Sequence, residues 1–458
     1  MPASSGPGFA LPPGFLMGAS TSAHQVEGNN VSSDWWAMEN RPGSPVAERS
    51  GDAADSFHRW PQDMDLLAQL GFNAYRFGIE WARIEPERGH VSKAALAHYR
   101  EMVRGALQRG LTPVVTLHHF TSPRWFTELG GWRAPEAVDL FTSYVGTACE
   151  VLAEGVRYVA TINEPNMVAL FYAMLGGGGT TPDGGGIATA DGSGGGEGEG
   201  GDAVQDSAQA GRADAQEGAA AGFSTHTVPD QEVTRTLIRA HRAAFARLKA
   251  ADPRYQVGWT VANQAYQPLP GAERLAAEHA RPREDVFLEA AREDDWVGVQ
   301  SYTRNLVGTD GPLPVPEGAV TTQTGWEFYP EALGQAVRHT ARVVGAGVPV
   351  LVTENGIATD DDRQRVAYTT RALAGLAAAL RDGVDVRGYL HWSALDNYEW
   401  GSYRPRFGLV AVDPGTFART PKESARWLGG LARAGRIPDG EGAPPADPTA
   451  TAASGARR

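Results

Sequence analysis

Two short phrases, far apart in the chain, each end an apolar run on a glutamate: Val159-Ala160-Thr161-Ile162-Asn163-Glu164-Pro165 and Val350-Leu351-Val352-Thr353-Glu354-Asn355-Gly356. Two carboxyl groups brought together can divide the labour of acid/base and nucleophile. Cleavage of an acetal needs that division. The leaving oxygen requires a proton while the anomeric carbon requires electron density, and one carboxyl group cannot supply both.

Such groups need a scaffold that brings distant strand ends to one place. Short β-branched or aromatic runs predict strands at 15–19, 72–77, 112–117, 157–162, 256–260, 296–299, 348–352 and 386–390. Between them, Leu96, Tyr99, Val103 and Leu107 recur at helical spacing, as do Val138, Phe141, Val145, Val151 and Leu152. Later helices are marked by Val233, Leu237, Phe245 and Leu248, and by Val366, Leu373, Leu376 and Leu380. Eight strands alternating with helices predict an α/β fold, a single (β/α)8 TIM barrel, with an open doubly wound sheet as the alternative. Chemically capable residues recur just past the strand ends, at Gln25, His119, Glu164, Tyr302, Glu354 and Trp392. That favours the barrel, whose active sites form on this face.

The 458 residues are 42% hydrophobic and 21% charged, the profile of a soluble globular protein. A formal net charge of −13 argues against nucleic-acid or anionic-membrane partners. Cys149 is the one cysteine, which excludes an intramolecular disulfide and a multi-thiolate zinc site. Residues 1–14 lack the charged and apolar regions of a secretion signal, and no run reaches membrane-spanning length, so a cytoplasmic setting is expected. Adjacent His118 and His119 lack carboxylate or thiolate partners at ligand-like spacing. No metal and no cofactor are expected, and His118 is expected to be structural.

One stretch breaks the rhythm. Residues 176–222 are Gly-rich and acidic, with almost nothing apolar to bury, and predict a disordered insertion after the fourth strand and the helix-forming 167–175. Its glycines do not lead into a Lys-Ser/Thr phosphate loop. A loose tail is expected over 437–458, leaving one catalytic barrel over 1–436.

With these elements in place the chain resembles the retaining β-glycosidases of glycoside hydrolase family 1. The phrases that carry the resemblance run from residue 18 to residue 28 (Gly18-Ala19-Ser20-Thr21-Ser22-Ala23-His24-Gln25-Val26-Glu27-Gly28) and through Tyr75-Arg76-Phe77 with Trp81. They continue through Asn163-Glu164-Pro165, Thr353-Glu354-Asn355-Gly356, and Trp392 to Trp400, where Glu399 and Trp400 close the set. The resemblance implies that Glu164 is the general acid/base and Glu354 the nucleophile, ~5–5.5 Å apart as retention requires. It also implies that Arg76 and Tyr302 support the nucleophile, lowering its pKa and holding one oxygen in line. Gln25, His119, Asn163, Glu399 and Trp400 would meet sugar hydroxyls, and Trp392 would stack beneath the ring.

The substrate so implied is a small β-glycoside. An unphosphorylated β-glucoside is favoured, because a carboxylate at Glu399 would repel a 6-phosphate, with β-galactoside and β-fucoside as alternatives. Transglycosylation on the same site and a non-catalytic sugar-binding scaffold are the remaining readings. The chain departs from the family pattern at Gln300-Ser301-Tyr302, where Asn-Tyr-Tyr is common, and at Phe120, where Trp usually follows the histidine. The loop after Trp400 is also shorter, and the insertion replaces a loop that borders the aglycone entrance. The oligomeric state is not encoded in these motifs.

Overall fold

The computed structural model describes residues 8–174 and 227–439. Eight parallel strands close into a barrel: β1 (Leu16–Ser20), β2 (Ala74–Gly78), β3 (Thr112–Thr116), β4 (Tyr158–Asn163), β5 (Gln256–Ala262), β6 (Val297–Gln300), β7 (Val350–Glu354) and β8 (Val386–Trp392). Closure is made by β8 on β1, with Gly388 opposite Leu16 and Trp392 opposite Ser20. The open-sheet alternative is thereby excluded.

The principal outer helices are α1 (Ser56–Leu70), α2 (Lys93–Gln108), α3 (Ala137–Leu152), α4 (Gln231–Ala251), α5 (Val286–Ala290), α6 (Ala332–Val344), α7 (Asp362–Arg381) and α8 (Glu423–Ala434). Their starts follow ordinary capping chemistry: Ser92 accepts from the Ala95 N–H, Asp230 from Glu232 and Val233, and Asp361 from Arg363. Alternation along the strands separates two cores. On β2, Ala74 joins a small interior cluster with Leu16, Val114, Ala160, Leu351 and Leu390, whereas Tyr75 and Phe77 belong to the large core shared with the helices.

Regular alternation stops where the chemistry begins. Pairing of β4 with β5 shifts register between Ala160 and Asn163, and pairing of β7 with β6 shifts between Val352 and Glu354. Such irregularities re-aim the side chains that follow them. After Glu354, the next turn leaves no room for a Cβ at Gly356, where one would lie 1.9 Å from the Trp392 carbonyl oxygen.

Three features differ from expectation or fall outside it. Arg436–Ile437 pairs with Phe9–Ala10 and Ile437 is buried, so the expected loose tail does not begin at 437. Small sheets at Tyr266–Pro268 with Asn305–Gly308, and at Val410–Val412 with Arg419–Pro421, had no sequence signal. The Gly-rich insertion at 176–222 lies outside the described residues.

Candidate active site

Glu354 ends β7 and is almost fully buried. Its carboxylate is held by three donors: Arg76 Nη1 and Gln300 Nε2 each reach Oε1 at 2.6 Å, and the Tyr302 hydroxyl reaches Oε2 at 2.6 Å. Arg76 projects inward from the middle of β2, is completely buried, and is steadied by a 3.0 Å bond from Nε to Thr116 Oγ1. Burial raises the pKa of Glu354, against the lowering expected from its partners; Arg76 and Tyr302 pull it back.

Asn163, the last residue of β4, joins this network through its amide oxygen. Oδ1 accepts from Arg76 Nη2, from Gln300 Nε2 at 2.9 Å and from Thr260 Oγ1 at 3.0 Å. Its amide nitrogen must therefore be the donor to His119 Nε2, 3.2 Å away, which leaves the His119 proton on Nδ1. Burial, and then the nearby Arg76 charge, hold the His119 pKa well below its usual value, so the ring is neutral. His118 turns elsewhere: its Nε2 lies 3.0 Å from Ser122 Oγ and its ring meets Trp132 edge-on.

Glu164 follows β4 directly. Its backbone lies in the left-handed region, φ 43°, tied by its N–H to the Thr260 carbonyl at 2.8 Å. Pro165 then opens the helix Pro165–Met174, where a fixed φ and a missing N–H are tolerated. Phe120 (φ 68°) and Trp400 (φ 47°) share this unusual backbone. Each such residue costs roughly 1–3 kcal/mol, and clustering of the three around one site is typical of functional centres. Burial and then the Glu354 charge push the Glu164 pKa well above the ordinary carboxyl value, with only Arg76 in opposition. The two carboxyls thus sense each other, and the proton favours Glu164.

An aromatic and polar rim surrounds the pair. His119 lies between Trp392 (centroids 5.9 Å, 24°) and Trp400 (6.0 Å, 20°), and Phe120 meets Trp400 edge-on at 5.0 Å. Glu399 accepts from Trp392 Nε1 at 3.2 Å and from Gln25 Nε2 at 3.1 Å. Burial raises its pKa to about 8. The Trp392 and Gln25 donors, one on each carboxyl oxygen, pull it back towards the ordinary range. Gln25 is fully buried; its oxygen accepts from Ser22 at 2.7 Å and its nitrogen also reaches Asn397 and the Tyr398 carbonyl.

The expected site residues thus converge: Arg76, Asn163, Tyr302 and Glu354 in one hydrogen-bonded network, with His119, Gln25, Trp392, Glu399 and Trp400 around it. Sequence reasoning missed others. Gln300 had been noted only as a departure, yet it contacts Glu354 directly. His24 stacks on Trp400 at 5.9 Å and 5°, near the buried Glu39, although the phrase containing His24 pointed to Gln25 alone. Trp326 and Phe407 flank Tyr302 at 5.5 and 5.8 Å, from loops with no local signal. Among the described residues, no group of three or more His, Cys, Asp or Glu is arranged to hold a metal, and no helix is long and apolar enough to cross a membrane.

Comparison with known proteins agrees with this architecture. The model of glycosyl hydrolase family 1 matches residues 9–191 and 289–436. A β-glucosidase from Agrobacterium sp. is 31% identical, covering 92% of this chain and 95% of its own length. β-Glucosidase A of Thermotoga maritima is 27% identical over 94% of this chain and 99% of its own. Among solved structures, a β-glycosidase superposes with a TM-score of 0.77 at 45% identity, covering 92% of this chain and 97% of that one. Since the family model spans both glutamate-bearing strands and most of the sequence, the chain belongs to glycosyl hydrolase family 1 and is a glycoside hydrolase.

Proposed function

We propose that the enzyme is a retaining β-glucosidase that releases terminal β-D-glucosyl residues from small glucosides. The observation that carries this reading is the unequal treatment of two neighbouring carboxyls. Glu354 receives three donors, one of them cationic, whereas burial and a nearby negative charge act on Glu164. Glu354 is suited to attack as an anion and Glu164 to hold the proton that the leaving oxygen needs.

In the first step, a Glu354 oxygen forms the bond to the anomeric carbon as the glycosidic bond breaks and the Glu164 proton passes to the leaving oxygen. In the second, Glu164 takes a proton from water, whose oxygen displaces Glu354 from the sugar. Arg76 and Tyr302 hold Glu354 throughout. Asn163, His119, Gln25, Glu399 and Trp400 bind hydroxyls, and Trp392 lies under the ring. Glucose is supported as the glycone by the names of the relatives, which include β-glucosidases from Agrobacterium sp. and Thermotoga maritima. One catalytic unit carries all these residues. A cytoplasmic setting fits a chain whose single cysteine is half-buried.

The decisive experiment pairs a variant with stereochemistry. Glu354→Ala should abolish turnover of a chromogenic β-glucoside, and NMR of the wild-type reaction should show the β-anomer of glucose first. Initial release of the α-anomer would overturn retention.

A further inference from the structure

We propose that Gln300 is a positioning residue that locks the Glu354 carboxylate to Asn163 and leaves Glu354 Oε2 as the attacking oxygen. The inference rests on the reading of Glu354 as nucleophile. Gln300 is the last residue of β6, lies opposite Glu354 in register, and is buried to 1% exposure. Both protons of its amide nitrogen are committed to acceptors, Glu354 Oε1 at 2.6 Å and Asn163 Oδ1 at 2.9 Å.

The amide can sit only this way round. Turned over, its carbonyl would face the Glu354 carboxylate and an Asn163 oxygen that already accepts from Arg76 and Thr260. The consequence is a buried Gln300 Oε1 that no hydrogen bond from the described residues satisfies. A glutamine that merely filled the core would place that oxygen on a donor, because an unmet buried acceptor is costly. Here the cost accompanies two donors aimed at the reacting carboxylate and its neighbour. Gln300 is also one methylene longer than the asparagine usual in the family pattern, which extends the reach of the bridge.

The bridge makes the two carboxylate oxygens unequal. Oε1 accepts from both Arg76 and Gln300, whereas Oε2 accepts from Tyr302. The less occupied Oε2 keeps a lone pair for the anomeric carbon. It forms the new C–O bond while the glycosidic C–O bond breaks and Glu164 protonates the departing oxygen. Oε1 stays pinned, so the carboxylate cannot rotate out of line.

The test is the pH profile of kcat/KM for a chromogenic β-glucoside with Gln300→Met, which keeps the volume and removes both donors, and with Gln300→Asn. Losing a donor to an anion raises the anion's pKa. The acidic limb of Gln300→Met should therefore move up by about one pH unit, as expected for a charge-assisted hydrogen bond, with a smaller shift in the same direction for Gln300→Asn. The preference for glucoside over 2-deoxyglucoside should also fall, because Asn163, whose partner implied by the family resemblance is the sugar 2-hydroxyl, loses a tether. A role in packing alone would lower the melting temperature and leave the limb and the preference in place, which would overturn the proposal. If Gln300→Met does not fold, the limb of Gln300→Asn decides alone: a rise supports the proposal and an unmoved limb overturns it. Glu354→Ala, assayed in parallel, separates the two levels. Full turnover in that variant would remove the nucleophile reading itself, whereas a dead Glu354→Ala with an unmoved Gln300 limb would reject only the positioning role.

Discussion

The Tyr302 hydroxyl donates to Oε2 of Glu354 at 2.6 Å, from the residue two positions beyond the end of the neighbouring strand. Tyr302 is itself held from behind, since its backbone carbonyl accepts from the Tyr368 hydroxyl at 2.5 Å. Tyr302→Phe removes one donor to a buried anion while keeping the ring against Trp326 and Phe407. We expect kcat/KM to fall by about 10- to 100-fold, the equivalent of a hydrogen bond to a charged group. The acidic limb of the pH profile should rise as well. An unchanged profile in steady-state assays would remove Tyr302 from the machinery.

Glu164→Ala should discriminate between leaving groups. Turnover of an alkyl glucoside, whose departing oxygen needs a proton, should drop by ~10²–10⁴-fold. The first step with a dinitrophenyl glucoside should hardly change. Pre-steady-state bursts on both substrates measure this directly, and equal losses would argue that another group is the acid.

Glu399 makes a prediction about stability. Its folded pKa of about 8 lies far above the ~4.3 of an exposed glutamate. The folded protein therefore holds this proton over a range in which the unfolded chain has lost it. The associated stability is complete below the unfolded pKa and is lost as pH rises through the folded one. Glu399→Gln lacks that dependence. Melting temperatures of the two proteins, scanned from about pH 5 to 9, should show the wild type losing ground to the variant as pH rises. A constant difference would mean that Glu399 is ionised throughout.

Removing residues 177–221 should leave the barrel folded. The flanks are fastened to the body: the Asp230 N–H reaches the Ala169 carbonyl at 2.9 Å, and Arg133 donates both to Asp230 and to the Tyr172 carbonyl. Closure entropy changes slowly with loop length, so a short linker should serve equally well. Equal melting temperatures and equal turnover of a chromogenic glucoside are expected. A large change in turnover would show that the segment contributes to catalysis, and a deletion variant that failed to fold would show that the flanks alone do not hold.

The strand pattern was legible because every barrel strand is buried and β-branched or aromatic residues mark it; all eight fall within two residues of the expected bounds. The site phrases were legible because they sit at strand ends. What stayed hidden depends on register and long-range contact. Nothing local announces the shifts before Asn163 and Glu354, which decide where those side chains point. The Gln300 bridge required the β6–β7 pairing to be known. The pairing of Phe9 with Ile437 joins chain positions too distant, and too short as strands, to leave a pattern. The upward shift of the Glu399 pKa was hidden for a similar reason, since its cause is the depth of the surrounding packing.

Asn163 spends its entire accepting capacity inside the protein, on Arg76, Thr260 and Gln300. What it can offer outward is a hydrogen, never a lone pair. The site is thus polarised by construction: a hydroxyl or fluorine that meets this amide can be received, while an ammonium, which has only hydrogens to give, is turned away. Protonated 2-amino sugars should accordingly be poor ligands, excluded by the direction in which an interior network happens to point.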